Sequence, residues 1–224
     1  MVTKATAFWG VTTKDVDTYR NELGCTTIDF LPLYLPTDWT VQTKEGKGNY
    51  CLYQADLSVD ANEQAAIWLL ENVFSTLEVP FVIAGKNPSK KLEHLAHSFQ
   101  HTCIVANPGE KEMKDMICKA HINILPSFSN TGIKLKLLNA LFNGKHCIVN
   151  DATVEGTGLE KLCHIANNAA AMKSIIEQLY DQPISNSEIG MRRDVLHKIF
   201  NNDNNAAQQL EWIWGEGKYL LNFS

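Results

Sequence analysis

Short apolar, β-branched runs alternate along the chain with longer segments of helical period. The runs YCLYQA (50–55), PFVIAG (80–85), TCIVAN (102–107), HINILPS (121–127), HCIVN (146–150) and LCHIAN (162–167) read as strands. Between and after them, ANEQAAIWLLENVFSTL (61–77), SKKLEHLAHSFQ (89–100), GEKEMKDMICKA (109–120), a stretch of about 133–143 and AAAMKSIIEQLY (169–180) carry helical spacing. The strands lack strict apolar–polar alternation, so both of their faces are expected to be covered. Regular alternation with short connections predicts six parallel strands in a doubly wound, Rossmann-like α/β sheet spanning about residues 50–183.

The two ends fall outside that unit. Residues 5–36 spell one strand–helix–strand segment through ATAFWGVT, KDVDTYRNELG and TIDFLPLYLP. TDWTVQTKEGKGN (37–49) is polar with two glycines and reads as a linker. Beyond Pro183 the helical period returns in SNSEIGMRRDVLHKIF (185–200), with Ser185 or Ser187 as N-cap, and again in a final stretch carrying Trp212 and Trp214. The expected division is therefore 1–36, 37–49, 50–183 and 184–224.

Composition narrows the chemistry. The 224 residues are 45% hydrophobic with a net charge of −5, and no dense Lys/Arg stripe appears, which argues against a nucleic-acid partner. No apolar run reaches the ~20 residues of a membrane span, and the N-terminus lacks the pattern of a signal peptide. The six cysteines form no CxxC pair and read as buried, reduced thiols of a cytoplasmic protein. The seven histidines show no HExxH spacing, and no metal is expected.

In an open parallel sheet, ligands bind beyond the carboxyl ends of the strands, near helix N-termini. Four strand-to-helix junctions qualify: QADLSVDAN (54–62), AGKNPSK (84–90), ANPGEKE (106–112) and PSFSNTGIKLK (126–136). The last is unusual. Gly132 opens an apolar helix, and Lys134 and Lys136 follow in what reads as its first turn. A helix start carries unpaired N–H groups and partial positive charge, so a cation there costs about 0.3–1 kcal/mol while an anion is welcome. At 100° per residue, Gly132, Lys136, Asn139 and Asn143 share one narrow polar stripe on an otherwise apolar helix. One reading is that the missing anion is a ligand. The other is that the lysines reach out to solvent and the asparagines lie on a rim. There is no GxGxxG and no Walker P-loop.

The runs VPFVIAGKNPSKKL, IVANPGEKEMKDMICKAHINILPSFSNTGIKLKLLNALFNGKHCIVND and GTGLEKLCHIANNAAAMKSIIEQLY resemble the C-terminal, donor-binding domain of GT-B glycosyltransferases of the glycogen-synthase-like, group 1 type. Residues 5–36 resemble the end of the N-terminal domain, and the last helix resembles the one that crosses back to it. The resemblance implies a nucleotide-diphospho-sugar donor, a glycan or glycolipid acceptor, and an N-terminal acceptor domain that is missing here. It implies retaining chemistry without a metal or other cofactor, and a role in cell-surface polysaccharide synthesis. The expected location is cytoplasmic or peripheral at the inner face of the membrane. The family's helix start, E-G-F-G-L-x-x-L-E-A, laid on this chain puts its first glutamate on Thr131, its glycines on Gly132 and Lys134, and its second glutamate on Asn139. Both carboxylates are therefore replaced. The family's G-R-x…K-G after the first strand is replaced by YQADLSVDANEQ, which has no base. The donor site implied is Gly85, Lys86, Thr131, Gly132, Ile133, Lys134, Lys136 and Asn139, with Lys134 or Lys136 supplying the lost charge. The catalytic residues are not identified. The alternative is a non-catalytic nucleotide-binding module that acts with a partner, and this chain by itself is expected to be inactive.

Overall fold

The computed structural model describes residues 7–128 and 132–214. Six strands, β3 (Cys51–Asp56), β4 (Phe81–Lys86), β5 (Thr102–Ala106), β6 (Ile122–Ile124), β7 (His146–Val149) and β8 (His164–Ile165), form one sheet. Every pairing in it is parallel, and the spatial order is β5-β4-β3-β6-β7-β8. The chain winds outward from β3 through β4 and β5, returns to the other side of β3 with β6, and winds outward again. The direction reverses between β3 and β6, which opens a crevice at their carboxyl ends. The expected doubly wound parallel sheet is the one observed.

Alternate residues of each strand feed opposite cores. Cys51, Tyr53, Phe81, Ile83, Ile122 and Ile124 pack beneath α2 (Asp60–Leu69), α3 (Lys90–His97) and α7 (Ala169–Leu179). A single π-helical turn, Leu70–Phe74, continues α2 into the same core. On the other face, Leu52 and Ala84 meet α4 (Glu110–Lys119), while Leu125, Cys147 and Val149 meet α5 (Leu135–Asn143). Burying each such side chain contributes about 1.5–3 kcal/mol. This two-sided burial explains why the strands read as unbroken apolar runs. The helices start where local chemistry caps them. Ser89 accepts from the Leu92 N–H, Asn168 from the Ala171 N–H, and Ser185 and Glu188 cap α8 (Asn186–Ile199) reciprocally.

Residues before the sheet form β1 (Phe8–Gly10), α1 (Thr13–Asn21) and β2 (Ile28–Phe30), a separate parallel pair with its own small core of Val16, Cys25 and Ile28. Thr13 binds this unit to the sheet domain by donating its N–H and hydroxyl to the Gly156 carbonyl, and Lys14 pairs with Glu155. Segment 37–49 has the polar composition of a linker but lies on the domain. The Gln42 N–H donates to the Phe142 carbonyl at 2.7 Å, Thr43 Oγ1 to the Gly144 carbonyl at 2.7 Å, and the Gly48 N–H to His121 Nδ1 at 3.0 Å. Trp39 stacks edge-on against Phe142. The last helix, α9 (Asn202–Trp214), is held at its start by Asn202, whose side chain bonds both the N–H and carbonyl of Leu35. Trp212 is buried and Trp214 exposed.

α8 seats the far end of α5. Arg192 is buried and donates to the Gly144 carbonyl at 2.7 Å and the Lys145 carbonyl at 2.6 Å, with a longer contact to Leu141. A guanidinium at the carbonyl end of a helix satisfies orphan acceptors and complements the helix dipole. It leaves the opposite end of α5 at the crevice.

Candidate functional site

The crevice is built by four elements. β3 contributes Tyr53, Gln54 and Asp56 at its carboxyl end, α2 contributes Asn62 in its first turn, and the β6–α5 connection contributes Gly132, Ile133 and Lys134. α5 itself contributes Lys136. Helix α5 begins at Leu135 with Lys134 as its N-cap, later than the expected start near 133. Gly132 takes a left-handed backbone, φ +61°, which a helix cannot continue through. Lys134 is therefore outside the helix and only Lys136 stands in the first turn.

Lys136 is the centre of the arrangement. Its Nζ lies 3.3 Å from Asn62 Oδ1 and 5.1 Å from the centroid of the buried Tyr53 ring. Tyr53 donates its hydroxyl to the Asn62 carbonyl at 2.9 Å, and Asn62 Nδ2 donates to the Asp56 carbonyl at 2.9 Å. Gln54 Nε2 donates to the Lys136 carbonyl at 3.2 Å and ties α5 to β3. Among the described residues no carboxylate pairs with Lys136. Burial, and after it the repulsion of Lys134, brings its ammonium down to about 8. A half-buried cation held only by an amide oxygen and a ring face keeps part of its charge uncompensated. Lys134 is also shifted down by burial, but Asp15 on α1 opposes that shift.

The other expected residues are distributed around this centre. Gly85 is buried in β4, where a Cβ would come within 1.9 Å of the Ala55 carbonyl oxygen, so close strand approach alone requires glycine. Lys86 is exposed and stands in register with Asp56 across the β3–β4 pair. Asp56 accepts from both the N–H and hydroxyl of Ser58. Those bonds first, and Lys86 after them, hold its carboxyl below the usual range. Ile133 packs against the core beneath α5. Asn139 lies one turn along α5 from Lys136, and its Oδ1 and carbonyl both accept from Asn143 Nδ2. Thr131 lies outside the described residues. The structure thus groups Lys136 with Tyr53, Gln54, Asp56 and Asn62, places Lys86 beside Asp56, and leaves Asn139 engaged with its own helix. Tyr53, Gln54 and Asn62 were not singled out in the sequence, although the junction 54–62 was. The signal was an asparagine in the first turn of a helix that follows a strand.

Phe128 rises exposed just beyond β6, edge-on to Trp68 of α2. Among the described residues no group of three or more His, Cys, Asp or Glu side chains is placed to hold a metal ion. No helix there is long and apolar enough to cross a membrane.

A parallel sheet of this order, with half-buried Lys136 at the switch point, defines a doubly wound α/β protein. Within that class the chain belongs to the group 1 glycosyl transferases, whose family pattern matches residues 48–182. Solved structures show the same fold at low identity. TarM of S. aureus, solved with fondaparinux, alpha-GlcNAc-glycerol and UDP, is 12% identical with a TM-score of 0.73 over 94% of this chain and 44% of its own. Sucrose-phosphate synthase from Thermosynechococcus elongatus is 11% identical with a TM-score of 0.72 over 92% of this chain and 57% of its own. A chain of the GtfA/B complex is 16% identical with a TM-score of 0.67 over 94% and 46%. The fold is that of the GT-B glycosyltransferases, and the chain spans about half the length of these neighbours. No curated protein matches.

Proposed function

We propose that this chain forms the donor-binding half of a glycosyltransferase that moves a sugar from a nucleotide-diphospho-sugar to a glycan or glycolipid, in cell-surface polysaccharide synthesis. The observation that carries the reading is Lys136, a half-buried ammonium with no carboxylate partner among the described residues, at the switch point and in the first turn of α5. The N–H groups of the Gly132–Leu135 turn and Lys136 receive the donor diphosphate. Negative charge grows on the departing nucleotide diphosphate as the sugar leaves, and a preorganised cation is worth most at that moment. Lys86, across from Asp56, lies within the same rim, and Lys134 adds long-range positive potential. Family membership and the UDP in the TarM structure support a nucleotide-sugar donor. The reaction is proposed to retain configuration and to use no metal. The acceptor is held by an N-terminal domain that packs on β1–α1–β2 and closes over the crevice. The whole enzyme is cytoplasmic, with peripheral attachment at the inner face of the membrane for a lipid-linked acceptor.

A second reading is a binding module that has lost catalysis and works with a partner polypeptide. Two observations favour it. Asn139, which aligns with a family glutamate, is engaged by Asn143, and the stretch YQADLSVDANEQ at the end of β3 lacks the bases the family carries there. One titration separates the readings. Calorimetry with UDP, GDP, ADP and their sugar conjugates is expected to show selective binding of one nucleotide series, weakened about tenfold or more by Lys136→Ala, since a charged hydrogen bond contributes about 1.5–3 kcal/mol. Asn139→Ala is expected to change affinity little. Donor hydrolysis by the full-length protein then supports the transferase. Binding without turnover supports the module, and no binding by the folded chain overturns the donor site.

A further inference from the structure

Three histidine rings stand in a row at the amino-terminal edge of the sheet, the end opposite the crevice. His121 precedes β6, His146 opens β7 and His164 opens β8. The first two rings meet edge-on at 5.1 Å between centroids and the next two lie 5.7 Å apart. His121 is fully buried and both its ring nitrogens are committed. The Gly48 N–H donates to Nδ1 at 3.0 Å, and Nε2 stands 2.8 Å from the Leu179 carbonyl. A donor on one side and an acceptor on the other define one neutral tautomer, protonated at Nε2 alone. His146 Nε2 lies 2.8 Å from the Gln182 carbonyl in the turn that leads to α8.

We propose that His121 is an acid-sensitive latch: a proton taken up from solvent at Nδ1 turns the acceptor of the Gly48 N–H into a second donor, and segment 37–49 lifts from the sheet. The incompatibility is geometric, because two N–H groups cannot share that contact. The surroundings give the imidazolium little help. Lys47, Lys145 and His146 repel it, and Asp181, the acid on that side, is paired with Lys47 at 2.6 Å. Tyr180 covers the ring edge-on. His146 in turn faces His164 and Arg192, with Glu188 as the opposing acid. Burial and these charges hold His121 below the ordinary histidine range, against the Leu179 carbonyl. The latch therefore opens only on the acid side of the ordinary histidine range.

Its reach gives it consequence. Segment 37–49 connects β1–α1–β2 to the sheet domain, and through Gln42 and Thr43 it also holds the carboxyl end of α5. Opening the latch loosens the attachment of the N-terminal unit and the seating of the helix whose other end forms the crevice. This inference does not depend on the ligand of that crevice.

Hydrogen-exchange mass spectrometry on the whole chain from pH 7.5 to 5.5, corrected for the intrinsic pH dependence of exchange, tests it. The expected result is a loss of protection in peptides covering 42–49, approaching tenfold per pH unit below the His121 transition, while β3 and β4 stay protected. His121→Gln offers an oxygen to Gly48 and an N–H to Leu179 but does not titrate, so its protection in 42–49 is expected to be flat over the same range. Uniform loss of protection throughout the chain, or unchanged protection of 42–49 at a pH where nitrogen NMR shows the His121 ring charged, overturns the latch. So does a glutamine variant that opens with the same pH profile. If that variant does not fold, nitrogen NMR of the wild-type ring decides. Protonation of His121 in step with exposure of Gly48 supports the latch, and a charged ring beneath a still-protected Gly48 overturns it.

Discussion

At the scale of single residues, the proposed donor site rests on Lys136. Its environment combines an amide oxygen at 3.3 Å, the Tyr53 ring with its centroid at 5.1 Å, and the repulsion of Lys134. Burial lowers its ammonium to about 8, so charge is lost as pH rises through that value. Affinity for a nucleoside diphosphate is therefore expected to hold from pH 6.5 to 7.5 and to fall above about 8, by up to tenfold per unit. Titrations repeated at pH 7, 8 and 9 check this. The decline should vanish in Lys136→Arg, whose guanidinium stays charged. Asn139, chosen from the sequence for its place on the helical stripe, faces the right side of α5, but its side chain is occupied by Asn143. A periodicity argument gives the face of a helix and not the partner a side chain finds there.

At the scale of elements, α5 is held from both ends. Its first turn is tied to β3 through Gln54 and to α2 through Lys136 and Asn62. Its last turn is tied to α8 through Arg192 and to segment 37–49 through Thr43. Removing Arg192 leaves the Gly144 and Lys145 carbonyls buried without a charged donor. Arg192→Ala is expected to destabilise the chain by about 2–4 kcal/mol, read as a lowered urea midpoint with little change in the slope. Nucleotide binding at saturating temperature-controlled conditions well below the transition should change less than in Lys136→Ala, because Arg192 does not reach the crevice. The legible part of this level was the existence of the elements. Each of the six sheet strands overlaps the apolar run that announced it, with β3 and β4 running one residue further to Asp56 and Lys86, because strands covered on both faces are largely apolar. The start of α5 was less legible. Gly132 adopts a left-handed turn and moves the helix start to Leu135, and an apolar pattern carries no information on the sign of φ.

At the scale of the whole molecule, the sheet has a crevice at one edge and a row of histidines at the other. Burial depresses His121, His146 and His164 below the ordinary histidine range. A group that binds protons more weakly when folded than when unfolded adds stability above its unfolded value, near 6.5, and that stability is lost as pH falls towards the folded values. Urea denaturation at pH 7.5 and 5.5 is expected to show a lower midpoint at 5.5. The carboxylates with depressed values, Asp56, Asp181 and Glu188, lose their contribution only at more acidic pH. A midpoint unchanged between 7.5 and 5.5 would show that the histidines ionise without cost.

The sequence alone determined the α/β class, the parallel sheet, the separate strand–helix–strand start and the oddity of lysines beside a helix start, because each is written in local period, capping chemistry and turn residues. It also carried the group 1 resemblance through motifs that survive where the family's glutamates do not. The tertiary structure decided which junctions share one crevice. Gln54, Asn62 and Lys136 lie up to 82 residues apart and meet because β6 returns to the side of β3, a strand order that hydrophobic alternation does not encode. The contacts of Arg192 and His121 were decided in the same way. Both read as ordinary residues in sequence, and only burial among backbone groups from distant segments fixed what they hold.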